Sequence, residues 1–214
     1  LSQQNTDRSQ LPALWDELNR LKALELPDDT FAFPGPLTRK IIHFLDGIAL
    51  APGSIKRYGA ISHNVAGRED YFPQGVPVHV THHPSDVTEF GNSGYDYIFT
   101  ISRLDGPKRI RMLVEAFMKT TADKEFRIAG TGPEAEALRE LAKDDPRVKF
   151  LGRITDQQVV KAYAEALFVP FIPYDEDYGL ITIEAMASGK AVLTTTDAGG
   201  VNEFVENGVS GFSV

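Results

Sequence analysis

The sequence predicts an α/β protein whose core is a doubly wound parallel sheet, and three observations carry that expectation. From about residue 97 onward, short apolar runs of strand length alternate with segments whose apolar residues recur at helical spacing. Capping and turn residues mark the changes of period. Strands that alternate with helices pair in parallel and are covered on both faces, and right-handed crossovers between them wind the sheet in both directions.

The elements follow in chain order. Residues 11–26 form an amphipathic segment with Leu11, Leu14, Trp15, Leu18 and Leu21 along one side, and residues 37–50 form a second. Residues 58–61 (YGAI) read as a strand, followed by Ser62 or Asn64 as the cap of a helix that ends before Pro73. Pro and Gly punctuate residues 73–77 (PQGVP), which divides the chain into 1–75 and 76–214. The regular region opens with strand 97–101 (YIFTI) and a helix in which Ile110, Leu113, Val114, Phe117 and Met118 share one face. Strand 126–129 (FRIA), a helix entered at Pro133 and running to Lys143, and strand 148–151 (VKFL) come next. Thr155 and Gln158 have the spacing of a capping box and open a helix through Ala166. Residues 167–172 (LFVPFI) and 191–194 (AVLT) are further strands, with the helix that carries Glu184 between them, and 211–214 (GFSV) is strand-like. The chain begins at Leu1 and stops inside that last run, so a piece of a longer protein, truncated at both ends, is expected.

Composition narrows the function classes. The 214 residues are 42% hydrophobic, enough to bury a sizeable core. Lys and Arg total 22 against 30 Asp and Glu, and the net charge of −8 argues against nucleic acid as a partner while leaving room for a local basic site that takes a small anion. Without cysteine there is neither a disulfide framework nor a thiolate metal site. No apolar run approaches the roughly 18 residues of a membrane-spanning helix, and no signal peptide is visible, so a cytoplasmic location is expected.

In an open α/β sheet, ligands bind beyond the carboxyl ends of the strands. Arg103 stands at the exit of strand 97–101 and Lys108 follows five residues later. A guanidinium fork and an ammonium point charge at that place suit a diphosphate, with solvated surface cations as the alternative. Gly130-Thr131-Gly132 lacks the rest of a dinucleotide fingerprint and is weak evidence that fits a tight turn. Tyr178, Gly179, Leu180 and Ile181 offer backbone N–H groups at a helix N-terminus, where the macrodipole contributes roughly half a positive charge. Glu184, one turn in, is placed to accept hydrogen bonds from the two hydroxyls of a ribose; the alternative is a carboxylate that serves only the helix dipole. Asp175-Glu176-Asp177 has an Asp-x-Asp spacing whose oxygens suit magnesium or manganese, yet acids before a helix are common and no metal is expected.

Glu176 and Glu184 stand eight positions apart in EDYGLITIEAMASGKAV, which continues as TTTDAGGVNEFVENGVSGFSV. Together these stretches resemble the carboxyl-terminal domain of family 4 retaining glycosyltransferases, whose two-domain architecture is the B-type fold. The family's signature is Glu, seven residues, Glu, with an aromatic-Gly-Leu after the first acid; here Tyr178-Gly179-Leu180 fills that place. The likeness continues upstream through RLDGPK, EFRIAGTGPE and VKFLGRIT, covers about residues 76–214, and extends to residues 79–86 (HVTHHPSD), which resemble the segment entering this domain.

The resemblance implies a Rossmann-like donor-binding domain at 76–214 and, in 1–75, the carboxyl-terminal remainder of an acceptor domain. It implies a nucleotide-diphosphate sugar donor, UDP- or GDP-linked, with no cofactor and no bound metal. A saccharide or lipid-linked acceptor and transfer with retention are implied too, and peripheral membrane contact through the amino-terminal domain stays open. Arg103 and Lys108 would hold the diphosphate, Glu184 the ribose, and Arg153 and Ile154 the base. Glu176 and the backbone of Tyr178, Gly179, Leu180 and Ile181 would hold the sugar and its β-phosphate. Glu176, Arg103 and Lys108 are the expected catalytic set. Arg109 departs from the family, which often has glycine there, and its purpose is open. None of the five histidines sits in the context of the family's histidine motif, so none is assigned a catalytic role. A nucleotide-sugar epimerase of the same fold and a non-catalytic nucleotide-binding fragment are the competing readings.

Overall fold

A computed structural model of the protein describes residues 35–49, 51, 53–69, 71–85 and 89–214. The amphipathic segment expected at 11–26 lies outside the described residues. Contacts divide the chain into two compact units, Leu1–Gly59 with Glu69–His79, and Ala60–Arg68 with Val80–Val214. The crossings fall after Gly59, Arg68 and His79, and residues 60–68 pack with the larger unit.

In the first unit, α1 (Pro36–Ala49) confirms the helix expected at 37–50, with Leu37 buried and Ile42 and Leu45 exposed. Tyr58 meets Phe72 edge-on at 6.1 Å between ring centroids. Strand β1 (Tyr58–Ala60) pairs with β2 (Val78–Val80) in a two-stranded ribbon. The helix expected to reach toward Pro73 is a single turn, α2 (His63–Ala66), in the second unit. Ser62 is its cap: the hydroxyl accepts from the Val65 N–H, and Gly67 ends the helix.

The second unit carries the sheet. Strands β3 (Ile98–Ile101), β4 (Phe126–Ala129) and β5 (Val148–Gly152) pair in parallel. Strands β6 (Val169–Pro170), β7 (Val192–Thr194) and β8 (Gly211–Ser213) form a second parallel ladder. The two ladders join where β3 meets the segment leading into β6. Tyr97 bridges Ala166, the Leu167 N–H donates to the Tyr97 carbonyl at 2.6 Å, and the Phe99 N–H donates to the Phe168 carbonyl at 3.3 Å. The order is therefore β5-β4-β3-β6-β7-β8, and the winding reverses between β3 and β6. The regular part of β6 is shorter than the run 167–172, because Pro170 has no N–H for the ladder.

The reversal follows from which face each helix covers. Helices α3 (Ile110–Met118) and α4 (Ala135–Leu141) lie on one side, where Ile110, Leu113, Val114, Phe117 and Leu138 pack on Ile98, Phe126, Ile128 and Val148. Helix α5 (Asp156–Glu165) lies on the other, where Ala162 and Tyr163 meet Tyr97, Phe99, Ala129 and Val169. Ile98 and Phe99 thus point to opposite faces, the period of two that a strand imposes. Both halves of the α5 capping box are made: the Thr155 hydroxyl accepts from the Gln158 N–H, and the Gln158 side chain accepts from the Thr155 N–H at 2.8 Å. Helix α4 starts two residues after Pro133 rather than at it. Among the described residues no helix is long and apolar enough to cross a membrane.

Candidate functional site

The winding reversal opens a cleft at the carboxyl ends of β3, β4 and β5. Its volume is about 590 Å³, and Ile101, Ser102, Arg103, Gly130, Thr131, Gly132, Arg153, Ile181 and Glu184 line it. Gly130 and Gly132 are there for close approach: a Cβ would lie 1.8 Å from the Ser102 carbonyl oxygen at the first and 2.3 Å from that of Leu104 at the second. In return the Ser102 N–H donates to the Ala129 carbonyl and the Leu104 N–H to that of Thr131. The glycines let the Arg103 turn press against the second strand's exit, so one cleft wall is backbone.

The far wall is the start of α6 (Leu180–Ala187). Its cap residue Gly179 has φ 85°, a left-handed conformation, and a Cβ there would lie 2.6 Å from Val201. The first N–H groups of any helix have no partner within it, and they concentrate positive potential. One turn in, Glu184 reaches the cleft and accepts a hydrogen bond at 2.9 Å from the hydroxyl of Tyr163. Burial raises the Glu184 carboxyl above its ordinary range, and the Tyr163 hydrogen bond pulls the other way. Burial likewise pushes the Tyr163 phenol far up, so it stays a donor.

Lys108 and Glu176 meet directly, in a charge-assisted pair with each side chain 23% exposed. Lys108 sits at the end of the 3₁₀ turn Gly106–Lys108, and its ammonium lies 5.8 Å from the centre of the Phe171 ring. The Pro107 carbonyl accepts from the Tyr174 N–H, which ties the two loops together. Arg103 stands apart: its side chain is 73% exposed and its Nε lies 2.9 Å from a carboxylate oxygen of Asp105 in an ion pair. Arg153 lines the cleft, whereas Ile154 packs into the core against Tyr163 and its neighbours. Tyr178 is buried, donates its hydroxyl to the His83 carbonyl at 2.6 Å and packs tilted against His82 and edge-on against Phe204, so its side chain is engaged in the core.

Arg109 acquires a structural role. It has φ 52° and ψ 31°, the left-handed region where glycine is at ease, which explains why glycine suits this place. The guanidinium grips both oxygens of Asp197 at 2.8 and 2.7 Å and lies 5.0 Å from the centre of the Tyr174 ring. Its hydrogen bonds, with that of Thr195, hold the Asp197 carboxyl down at about 2.

The acids flanking Glu176 are also committed. Arg68 reaches Asp175 and Asp177 at 3.2 and 2.5 Å, and the Asn64 amide donates to Asp175 at 2.9 Å and to the Glu176 carbonyl at 3.0 Å. The Ser62 hydroxyl donates to the Asp177 carbonyl at 2.5 Å. Asp175 itself has φ 45°. Among the described residues no cluster of His, Asp and Glu is arranged to hold a metal ion. His82 lies 3.2 Å from Glu203, which also accepts from the Asn64 N–H. Sequence reasoning missed Asn64, Arg68 and Tyr163. The alternative of Ser62 or Asn64 as a helix cap was the local signal near the first two, and it pointed to no site; Tyr163 reads along α5 as an ordinary core position.

A family model described as "Glycosyl transferases group 1" matches residues 95–214. Among curated relatives, the D-inositol 3-phosphate glycosyltransferase of Corynebacterium kroppenstedtii is 32% identical over 150 residues, 65% of this chain and 30% of that protein. The N-acetyl-alpha-D-glucosaminyl L-malate synthase of Bacillus anthracis is 32% identical over 130 residues, 58% of this chain and 33% of that protein. The chain thus spans about a third of the length of these relatives. Among solved structures, Anabaena Alr3699/HepE in complex with UDP and glucose superposes with a TM-score of 0.68 at 21% identity, covering 83% of this chain and 53% of that one. That likeness confirms the expected B-type fold.

Proposed function

The chain belongs to the glycosyl transferases group 1 family, and on that premise we propose that it forms the donor-binding part of an enzyme that moves a sugar from a nucleotide-diphosphate sugar, UDP- or GDP-linked, to an acceptor hydroxyl. Transfer proceeds with retention and without a bound metal, and the acceptor is a saccharide or a lipid-linked group. The observation that carries this reading is the cleft at the winding reversal, which Arg103, Arg153 and Glu184 line. The Lys108–Glu176 pair in the adjoining loops and the α6 N-terminus supplement it. The names of the two curated relatives, a glycosyltransferase and an N-acetyl-alpha-D-glucosaminyl L-malate synthase, agree with it.

The chemistry assigns each group a part. Lys108 and Arg103 take the diphosphate, and the first N–H groups of α6 face its terminal phosphate. As the anomeric C–O bond to that phosphate breaks, negative charge gathers on the departing oxygen. Fixed cations and a helix end near such an oxygen stabilise the transition state more than the ground state. Binding exchanges partners: Lys108 leaves Glu176 for phosphate, which frees the Glu176 carboxylate to hold hydroxyls of the donor sugar. Glu184 accepts from the ribose hydroxyls, and Arg153 with the backbone of Ile154 borders the base. The aspartates beside Glu176 are engaged by Arg68 and Asn64, which leaves the diphosphate to side-chain cations.

Calorimetric titration of the chain with UDP and GDP, each against its free nucleoside, tests the assignment. Diphosphates are expected to bind at least tenfold more tightly, since each charge-assisted contact contributes about 1.5–3 kcal/mol. Equal affinities for nucleoside and diphosphate would overturn it. In a longer protein containing this chain, labelled sugar released from the donor only when acceptor is present distinguishes transfer from epimerisation and from simple binding.

A further inference from the structure

Tyr163 is wholly buried, yet it carries a hydroxyl that the core does not need. Its ring is fixed edge-on between Phe90 at 5.7 Å and Phe99 at 5.2 Å between centroids. The hydroxyl emerges at one place only: it donates at 2.9 Å to Oε2 of Glu184, a carboxylate that lines the cleft from a different helix. A long, rotatable Glu side chain is thereby tethered to a ring that cannot turn. We propose that Tyr163 is a positioning residue for ribose recognition, holding the Glu184 carboxylate ionised and correctly turned for the two hydroxyls of a nucleotide ribose. The proposal rests on the reading that Glu184 takes the ribose.

The chemistry explains why a phenol serves here. A buried carboxylate tends to take up a proton, and a protonated carboxyl loses acceptor capacity at one oxygen. A neutral donor of high pKa stabilises the ionised form without adding a charge that competes for the incoming diphosphate. Among the described residues, the titratable and charged groups facing Glu184 are few: Tyr163 from α5, and Arg103 and Arg153 along the cleft. Helix α6 brings no other ionisable side chain. Tyr163 is the one with a hydrogen bond to the carboxylate, so its removal leaves burial to act with less opposition.

The test compares UDP and GDP with their 2′,3′-dideoxy analogues by calorimetry, on the wild-type chain and on Tyr163→Phe, from about pH 5 to pH 8. The readout is the affinity ratio of ribo- to dideoxynucleotide. The ratio is expected to fall by about three- to tenfold in Tyr163→Phe, with affinity for the dideoxy compounds unchanged. The pH below which the ratio collapses should also rise, because without the phenol Glu184 takes up its proton sooner. A side chain that only fills space would move neither. Incorporating 3-fluorotyrosine at position 163 keeps ring and hydroxyl but makes the phenol more acidic, and should shift the same midpoint downward; this arm stands even where Tyr163→Phe fails to fold. A wild-type chain that does not distinguish ribo- from dideoxynucleotides would overturn the ribose reading of Glu184. A wild-type chain that does, with the ratio and its pH midpoint unmoved in the position 163 variants, would overturn the role of Tyr163 alone.

Discussion

Removing either member of the Lys108–Glu176 pair should change diphosphate binding in opposite directions. In the free protein the lysine is already occupied by Glu176, with both side chains about three-quarters buried. A charge-assisted contact from Lys108 to phosphate contributes about 1.5–3 kcal/mol. Breaking the existing pair offsets about 1 kcal/mol of it, the upper end for partly exposed ion pairs. The net loss in Lys108→Ala is then about 0.5–2 kcal/mol, or roughly two- to thirtyfold in the Kd of UDP or GDP. Glu176→Gln removes the competitor while keeping a side chain of the same length. Diphosphate should bind that variant up to about fivefold more tightly, the equivalent of 1 kcal/mol. Sugar transfer by a longer protein carrying the change should nevertheless fall. Titration calorimetry of both variants against UDP, GDP and the free nucleosides gives the answer, with the nucleosides expected to bind all three proteins alike. A Glu176→Gln chain that binds UDP and GDP more weakly than wild type would refute the exchange of partners.

Other expectations follow from individual contacts. Glu184→Gln keeps an oxygen to accept from Tyr163 but cannot ionise. Because burial raises the carboxyl above its ordinary 4.5, wild-type stability falls as pH rises through that interval. The variant should therefore be at least as stable as wild type near pH 7 by thermal melting, while losing its preference for ribo- over dideoxynucleotides; a destabilised Glu184→Gln would argue that the carboxylate is structural. Arg109→Gly relieves a left-handed residue worth about 1–2 kcal/mol but releases Asp197. With Asp197 held at about 2, its contribution is present above the ordinary carboxylate range and lost as pH falls through that value. Acid titrations followed by circular dichroism should show a shallower loss of stability between about pH 4 and pH 2 in the variant; unchanged acid curves would show that the Arg109–Asp197 pair contributes nothing. Gly130→Ala places a methyl inside the Ser102 carbonyl and should cost more than about 2 kcal/mol in urea unfolding; a near-neutral result would mean the Arg103 turn can move away.

What was legible in the sequence is what local physics decides. The apolar face of α3, the extent of β4 and the Thr155–Gln158 box follow from spacing and capping within a few residues, and each stands where expected. Of the Glu176–Glu184 signature, the helix expected to carry Glu184 is present, with Glu176 in the loop before it. The strand order was not legible, because nothing near residue 166 says that β6 will pair with β3 rather than extend the sheet beyond β5. The residues 60–68 were equally hidden. Asn64 and Arg68 reach Asp175, Glu176 and Asp177 across more than a hundred positions, and a lone Asn or Arg carries no sign of such a partner. Arg109 was visible as an oddity, and only its backbone angle shows what the position demands.

The two glutamates of the signature are restrained by different means, and the difference matches the parts assigned to them. Glu184 sits on a helix, partly buried, its carboxylate tied to a neutral phenol in the core. In the proposed role such a group recognises a feature common to all ribonucleotides and has no reason to move during a cycle. Glu176 lies in a loop, and its carboxylate is neutralised by a lysine that the ligand's own charge can draw away. Its backbone, by contrast, is held from two sides. The Glu176 N–H donates to Ala198 and the Gly200 N–H to the Glu176 carbonyl, while Asn64 adds a third bond and Arg68 secures the residues before and after. A fixed main chain with a side chain free to change partners suits a group that must be silent until a diphosphate arrives and then be in place at the sugar. With a net charge of −8, the chain taken whole repels anions. Screening confines such fields to about 8 Å at physiological salt. Under the proposed function, the local set of Lys108, Arg103, Arg153 and the α6 N-terminus therefore decides whether a diphosphate enters, and the Lys108–Glu176 pair keeps one of those cations masked until it does.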